Sequence, residues 1–229
     1  MPEGEKKDMK KIIASSAVCL IALGTGLSVS ASSISMDGKK GETDVRIGFE
    51  NDSTVDPVEP GTIGLSRIPT AFDFGQSNRV IDQPQIIKTH NANSQAPQYL
   101  AVNDLRAEQK GKWEVNATAS DIVNMDQDKS TDKLTGANIS FTSNGMSFAD
   151  TTANGKAFSN DAFGVSSVSK LGAGQTQQVL NTTDASTLGS KEVGAQITDV
   201  SLYVPANVGT PNALYTGTVT WTLDNVTQG

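Results

Sequence analysis

The sequence predicts an all-β protein, an antiparallel sandwich or barrel of short strands. From Thr62 onward, short runs of alternating apolar and polar residues are separated by glycine, asparagine, aspartate and proline. No run of ten or more residues has a convincing helical period with caps. Threonine, serine and asparagine are abundant, which disfavours helix interiors and suits strand faces and turns. Many short strands at this spacing are typical of a sandwich or barrel.

The first 31 residues have the composition of a secretory leader. Four lysines precede an apolar run from Ile12 to Val29, and small residues follow up to Ala31. We therefore expect a signal peptide over residues 1–31, with Met9 as an alternative start. A membrane anchor is the competing interpretation. The serine, glycine and threonine content of the run and its lack of a stop-transfer flank disfavour that anchor.

Cysteine content and charge exclude several classes of function. The only cysteine, Cys19, lies in the leader, so disulfides, thiolate metal sites and cysteine nucleophiles are excluded from the mature chain. The leader holds three of the 25 acids and four of the 18 bases, leaving 22 acids and 14 bases, a net charge of −8. This balance argues against nucleic acid, whose phosphates need basic patches. It also argues against simple electrostatic adhesion to anionic wall polymers.

The mature chain is predicted to have a flexible lead-in over residues 32–61 and one folded domain over residues 62–229. The lead-in has few large apolar residues and cannot bury enough apolar area to offset its chain entropy. A short strand at Asp44–Phe49 is the alternative for part of it, because three apolar residues alternate there.

Eight strands are predicted in the domain. They are Thr62–Ile68, Pro84–His90, Gln98–Leu105, Lys112–Ala119, Ala137–Thr142, Gln175–Asn181, Gln196–Val204 and Ala213–Asp224. Between them, Ser143–Gly174 is the least regular region, with scattered glycines among polar residues. We expect loops with short strands there, and a place where a binding surface could lie.

Two of these strands carry the tryptophans. One face of the last strand has Tyr215, Gly217, Val219, Trp221 and Leu223, and the other face has four threonines and Asp224. In the earlier strand, Trp113, Val115 and two alanines alternate with polar residues. Because successive side chains point to opposite faces, the aromatic face of each strand is predicted to be buried. Each tryptophan is therefore predicted to be a core residue.

No catalytic set, cofactor or metal site is predicted. His90 is the only histidine, and neither Gly-x-Ser-x-Gly nor His-Glu-x-x-His occurs. Asp126 and Asp128, with Asp121 and Asp132 nearby, have a spacing that can ligate calcium, but Thr131 replaces the turn glycine and Ala137 replaces the bidentate glutamate. A polar loop is the expectation. A wall-active glycosidase is the enzymatic alternative, because its paired carboxylates meet only through the fold.

One pair of opposite charges ends a predicted strand. Asp104 and Arg106 lie two residues apart and on one face. The ordinary explanation is a local ion pair or turn anchor, which contributes little to stability if it is exposed.

The arrangement of motifs resembles the WxL-domain surface proteins of Gram-positive bacteria. The first motif runs from Tyr99–Arg106 to Gly111–Val115, and the second from Val200–Pro205 to Tyr215–Asp224. The stretches Gly64–Gly75 and Leu134–Ile139 resemble the opening and the middle of that domain. The signature positions are Trp113, Val115, Tyr215, Trp221 and Leu223, with Asp73, Asp104 and Arg106 as supporting residues. One departure is Val115, where the motif has leucine.

The resemblance implies a non-covalent attachment domain that recognises peptidoglycan on the cell wall. It also implies partners, namely membrane-anchored WxL-interacting proteins and larger WxL proteins, and a secreted protein at the Gram-positive surface. Because little but the domain is present, the chain looks like a small WxL protein. It ends at Gly229 without a sorting signal, so non-covalent retention is expected. The alternative is an adhesin for host extracellular-matrix proteins, with Ser143–Gly174 as the contact region and wall binding secondary.

Overall fold

The computed structural model describes residues 33–35, 37–46, 63–89, 98–106, 111–148, 155–188 and 192–226. These residues form short β-strands, two 3-10 helices (Gln127–Lys129 and Ala185–Thr187) and no α-helix. The strands belong to two sheets that are antiparallel apart from one short parallel pair. The predicted all-β class is therefore confirmed, and the two sheets form a sandwich. The predicted leader and His90 lie outside the described residues.

The first sheet contains both tryptophan-bearing strands. Its members are β1 (Ser33–Ile34), β2 (Lys40–Arg46), β4 (Ala71–Asp73), β7 (Lys112–Ala119), β8 (Val123–Asn124), β11 (Phe163–Val165), β13 (Thr176–Thr182) and β15 (Tyr215–Val226). They are ordered β1-β2-β15-β7-β13-β11, with β4 added to β2 and β8 added to β15. The two tryptophan strands, β7 and β15, are direct neighbours.

The second sheet is organised around one long strand. Its members are β3 (Ile63–Arg67), β5 (Gln85–Lys88), β6 (Gln98–Asp104), β9 (Asn138–Ser147), β10 (Lys156–Ala157), β12 (Val168–Gly172) and β14 (Glu192–Val204). They are ordered β10-β9-β14-β6-β3, with β12 on β9 and β5 on β14. Because β9 lines one side of β14, β5 and β6 share the other side, each pairing with a different half.

The core lies between the sheets and is built by period-two alternation. A chain of aromatic rings crosses it, from Phe72 to Phe141 at 6.1 Å and from Phe141 to Trp221 at 5.9 Å. Phe72 and Trp221 belong to the first sheet and Phe141 to the second, so the rings join the two layers. Burying large apolar side chains in this way is the main stabilising term of a sandwich without disulfides.

Part of the predicted lead-in belongs to the fold. Strand β2 pairs with β15 along its length, and its Thr43 and Val45 are only 0% and 3% exposed. The prediction of a flexible segment over 32–61 is therefore wrong for Lys40–Arg46. Local composition does not indicate this strand, because the strand that pairs with it, β15, lies about 170 to 180 residues later in the chain. Residues 47–62 lie outside the described residues.

The region Ser143–Gly174 is more regular than its composition indicates. Strand β9 continues to Ser147, beyond the predicted end at Thr142, and β10, β11 and β12 follow. The extension is stabilised by pairing of β9 with the first half of β14. Most of its residues are polar or glycine, including Ser143, whose hydroxyl is buried, so the extension has no apolar run. The strand Lys112–Ala119 has the predicted bounds.

Candidate functional site

Trp221 lies in the centre of the core, and its indole nitrogen is satisfied. The side chain is 0% exposed, and Nε1–H donates to Thr43 Oγ1 at 2.7 Å. The Thr43 hydroxyl in turn donates to the carbonyl of Pro69 at 2.5 Å. This buried chain of hydrogen bonds joins β15 to β2 and to the segment after β3. It gives the tryptophan a fixed orientation as well as apolar contact.

Trp113 is equally buried but differs in its hydrogen bonding. It is 1% exposed and packs against Phe163, with ring centroids 6.3 Å apart. Among the described residues, no acceptor reaches Trp113 Nε1. Thr182, directly across from it on β13, also has a buried hydroxyl without a described partner. The two unpaired groups therefore occupy neighbouring positions on the inner face of the sheet.

The two W-x-[V/L] motifs meet in one layer of the core. Val115 on β7 lies opposite Leu223 on β15, and they are 0% and 2% exposed. Trp221 lies opposite Ala117, whose small side chain leaves room for the indole. At position 115 valine occupies a packed interior site rather than a solvent-facing one. The signature motifs thus supply matching inner faces of two adjacent strands.

Tyr215 anchors one end of the sandwich through its hydroxyl. The hydroxyl donates to Asp132 Oδ2 at 2.8 Å and accepts the backbone N–H of Thr210 at 2.7 Å. Asp132 also accepts from Asn124 and from the Thr210 hydroxyl, each at 2.9 Å. The hydrogen bonds from Asn124, Tyr215 and Thr210 lower the pKa of the Asp132 carboxyl. The network holds the loop before β15 against the loop after β8.

The acidic residues considered for calcium are dispersed. Asp126 caps the first 3-10 helix and lies 3.4 Å from Lys129 Nζ. Asp121 pairs with Lys133 at 2.6 Å. Within the described ranges, no group of three or more His, Cys, Asp or Glu side chains could hold a metal ion.

Asp104 and Arg106 form a bidentate ion pair at the end of β6. Arg106 Nε donates to Asp104 Oδ1 at 2.8 Å, and Nη2 donates to Oδ2 at 2.6 Å. Asp104 is only 5% exposed, so the carboxylate depends on its partners for charge compensation. Lys39 donates to the carbonyl of Ile63 nearby, and its pKa is lowered by burial and by the charge of Arg106. The arrangement is a turn anchor with a buried carboxylate.

Asp73 shapes a turn. Its Oδ1 accepts the backbone N–H of Gly75 at 2.8 Å, and Gly75 has a positive φ of 79°. The side chain therefore fixes the exit from β4 through a local Asx-type bond. The supporting residues of the motif, like the tryptophans, stabilise the scaffold in this structure.

Other polar side chains lie on the outer faces of the two sheets. The outer face of the first sheet presents the threonines of β15 with carboxylates such as Glu114 and Asp224. The outer face of the second sheet presents amides, hydroxyls and two tyrosines. The second surface was not predicted from the sequence, although Gln196 and Thr198 alternate with apolar residues in one half of β14 and Ser201 and Tyr203 do so in the other half.

A family model described as WxL domain, surface cell wall-binding, matches residues 36–226. The match begins before β2 and ends with β15, so it spans both sheets. Comparisons with curated proteins and with solved structures found no match. The described residues contain no helix with the length and hydrophobicity of a membrane span.

Proposed function

The chain belongs to the WxL family of surface cell wall-binding domains, and we propose that it attaches non-covalently to the wall by binding peptidoglycan. The observation that carries this proposal is the extent of the family match, which covers every described strand of the sandwich from β2 to β15. A cell-wall-binding domain acts at the cell surface, and the family is not one of enzymes.

The geometry supports a binding module. The polar side chains of the signature are engaged in structural bonds, as in the Asp104–Arg106 pair and the Tyr215–Asp132 contact. No catalytic activity is proposed. Recognition is instead assigned to the solvent-facing surfaces of the sheets, where side chains can contact an extended polymer.

A sedimentation assay tests the proposal. The mature protein, residues 32–229, includes every described strand and would be mixed with purified peptidoglycan. We expect it to pellet with peptidoglycan stripped of anionic polymers, since an acidic protein gains nothing from those polymers. Heat-denatured protein is the control. Absence of the native protein from the pellet would contradict the proposal, and release of soluble sugar fragments would indicate an enzyme.

Matrix adhesion is the alternative that the same assay separates. Immobilised host extracellular-matrix proteins form its second arm. Binding to matrix proteins without binding to peptidoglycan would favour an adhesin. The contact region expected for that role, Ser143–Gly174, contains the end of β9 and the short strands β10 to β12.

Export and protein partners complete the proposal. We propose that residues 1–31 are a cleaved leader and that the protein is secreted by a Gram-positive bacterium. N-terminal sequencing of the exported protein would then begin after Ala31. The proposed partners are membrane-anchored WxL-interacting proteins and larger WxL proteins. The partners should co-purify with this protein from detergent-solubilised envelopes of wild-type cells. Comparing the amount of protein held on the wall in wild-type cells and in cells lacking those partners would test whether wall retention depends on them.

A further inference from the structure

The outer face of the second sheet carries a strip of uncharged polar and aromatic side chains. Core residues of β14 such as Ile197 and Leu202 point inward, so Gln196, Ser201 and Tyr203 point outward. A bulge at Asp199, with a positive φ of 51°, keeps both halves of the strand in phase with the core. We use the name outer strip for the outward-pointing side chains of β14 from Gln196 to Tyr203, together with the residues that pair with them on β5, β6 and β9.

An aromatic or apolar group stands at each end of the outer strip. At one end Tyr203 lies between Ile86 on β5 and Asn138 on β9. Ile86 is 72% exposed, the highest value among the large apolar side chains described. At the other end Gln196 lies between Tyr99 on β6 and Asn144 on β9.

The ring of Tyr99 is held in place from one side. It packs edge-on against Phe148, with centroids 5.2 Å apart and an interplanar angle of 84°. Phe148 in turn lies under the guanidinium of Arg67, 4.5 Å from its ring centroid. A ring fixed in this way loses little conformational freedom when a ligand packs on it.

The centre of the outer strip consists of hydroxyl groups. Ser201 faces Ser140, and their Oγ atoms are 2.8 Å apart. Thr198 faces Thr142, and its hydroxyl accepts from Asn144 Nδ2 at 3.4 Å. A hydroxyl has one donor and two acceptor sites, so these groups retain capacity for a ligand.

The charge of the outer strip distinguishes it from the opposite face of the sandwich. Its ionisable groups are Lys88, across from Ser201, and Asp199 at the bulge, one of each sign. The outer face of the first sheet instead has charged side chains of both signs at the described outward positions of its central strands, namely Lys40, Glu42, Lys112, Glu114 and Asp224, and no tyrosine, phenylalanine or tryptophan there. A neutral ligand is therefore favoured at the outer strip.

We propose that the outer strip binds the N-acetylated glycan strand of the wall, an inference that rests on the proposed function. Tyrosine and isoleucine surfaces suit the apolar faces of sugar rings, and amides and hydroxyls suit their acetamido and hydroxyl groups. From Gln196 to Tyr203 the strand extends roughly 20 Å at about 3.3 Å per residue, allowing for the bulge. That length fits several sugars in a row.

Paired substitutions test the assignment. Gln196→Ala with Tyr203→Ala removes one group from each end of the outer strip, and both side chains point away from the core. The matched control is Thr220→Ala with Thr222→Ala on the outer face of the first sheet. These two side chains are partly exposed, as are those of Gln196 and Tyr203. Both proteins would be checked for an unchanged melting temperature and then pelleted with purified peptidoglycan. Chitotetraose, a tetramer of N-acetylglucosamine, would serve as the soluble competitor.

The expected result is a dissociation constant for peptidoglycan at least about tenfold weaker in the outer-strip variant. The control should bind as the unsubstituted protein does, and chitotetraose should displace the unsubstituted protein. Equal binding by the outer-strip variant would overturn this inference and leave the proposed function standing. Failure of chitotetraose to compete would also overturn it, indicating that the wall peptide or another partner is bound. Failure of the unsubstituted protein to pellet would contradict both proposals.

Discussion

Replacing each tryptophan by phenylalanine is predicted to destabilise the protein unequally. Both changes shrink a fully buried ring system and should cost about 1–2 kcal/mol in lost packing. Trp221→Phe also removes the hydrogen bond to Thr43 Oγ1, worth about 1 kcal/mol. Trp113→Phe removes an indole N–H that has no described acceptor, so the free-energy cost of burying that group, about 1 kcal/mol, is no longer incurred. The free energy of unfolding should therefore fall roughly 2 kcal/mol more in the Trp221 variant.

The difference is measurable by urea denaturation with tryptophan-independent detection, such as far-ultraviolet circular dichroism. For a domain of this size, roughly 2 kcal/mol corresponds to a difference of about 4–8 °C in melting temperature. A double-mutant cycle with Thr43→Val isolates the hydrogen bond, because Trp221→Phe should cost less when Thr43 is already replaced. Equal losses in the two single variants, or a larger loss for Trp113→Phe, would refute the assignment of the bonds.

Three further predictions concern the scaffold. Arg106→Met should lower the free energy of unfolding by about 3 kcal/mol, because the buried Asp104 carboxylate loses its bidentate partner. Urea denaturation measures this loss, and a change under 1 kcal/mol would show that other contacts compensate. Gly194→Ala should prevent stable folding or lower the melting temperature sharply, because a Cβ there would lie 2.0 Å from a backbone carbonyl of β6; a normal melt would contradict that packing. The pKa of Asp132 is lowered in the folded protein, so its ionised carboxylate stabilises the fold at pH values above the ordinary pKa of 3.8. This contribution is lost as the pH falls through the lower pKa of the folded state. Tyr215→Phe removes one cause of the shift, so its stability should change less between pH 5 and pH 2 than that of the unsubstituted protein, and an identical profile would exclude the contact.

Local alternation was sufficient to predict the strands that carry the tryptophans. In β15 every second residue from Tyr215 to Leu223 is buried, and β7 repeats the pattern from Trp113 to Ala119. Such strands have an apolar inner face and a polar outer face, so a period of two identifies both. The same pattern predicts that both indole rings are buried, as they are in the structure.

Long-range pairing explains what the sequence did not predict. Thr43 in β2 contacts Trp221, which lies 178 residues later, and no local pattern marks that residue as an acceptor. The bulge at Asp199 shifts the side-chain alternation within β14, so a strict period of two misplaces half of that strand. The outer strip is formed from four strands and becomes a surface only when β5 and β6 lie beside β14. The family resemblance could be recognised from the sequence because both motifs lie in core strands, β7 and β15, where apolar and polar residues alternate regularly.

The most direct measurement is the binding of the folded Trp221→Phe variant to purified peptidoglycan, made well below its melting temperature. The indole is 0% exposed, so the variant should melt at a lower temperature and still pellet with the same dissociation constant as the unsubstituted protein. Loss of binding with an unchanged melting temperature would contradict the account, because the tryptophan would then contact the wall rather than support the fold.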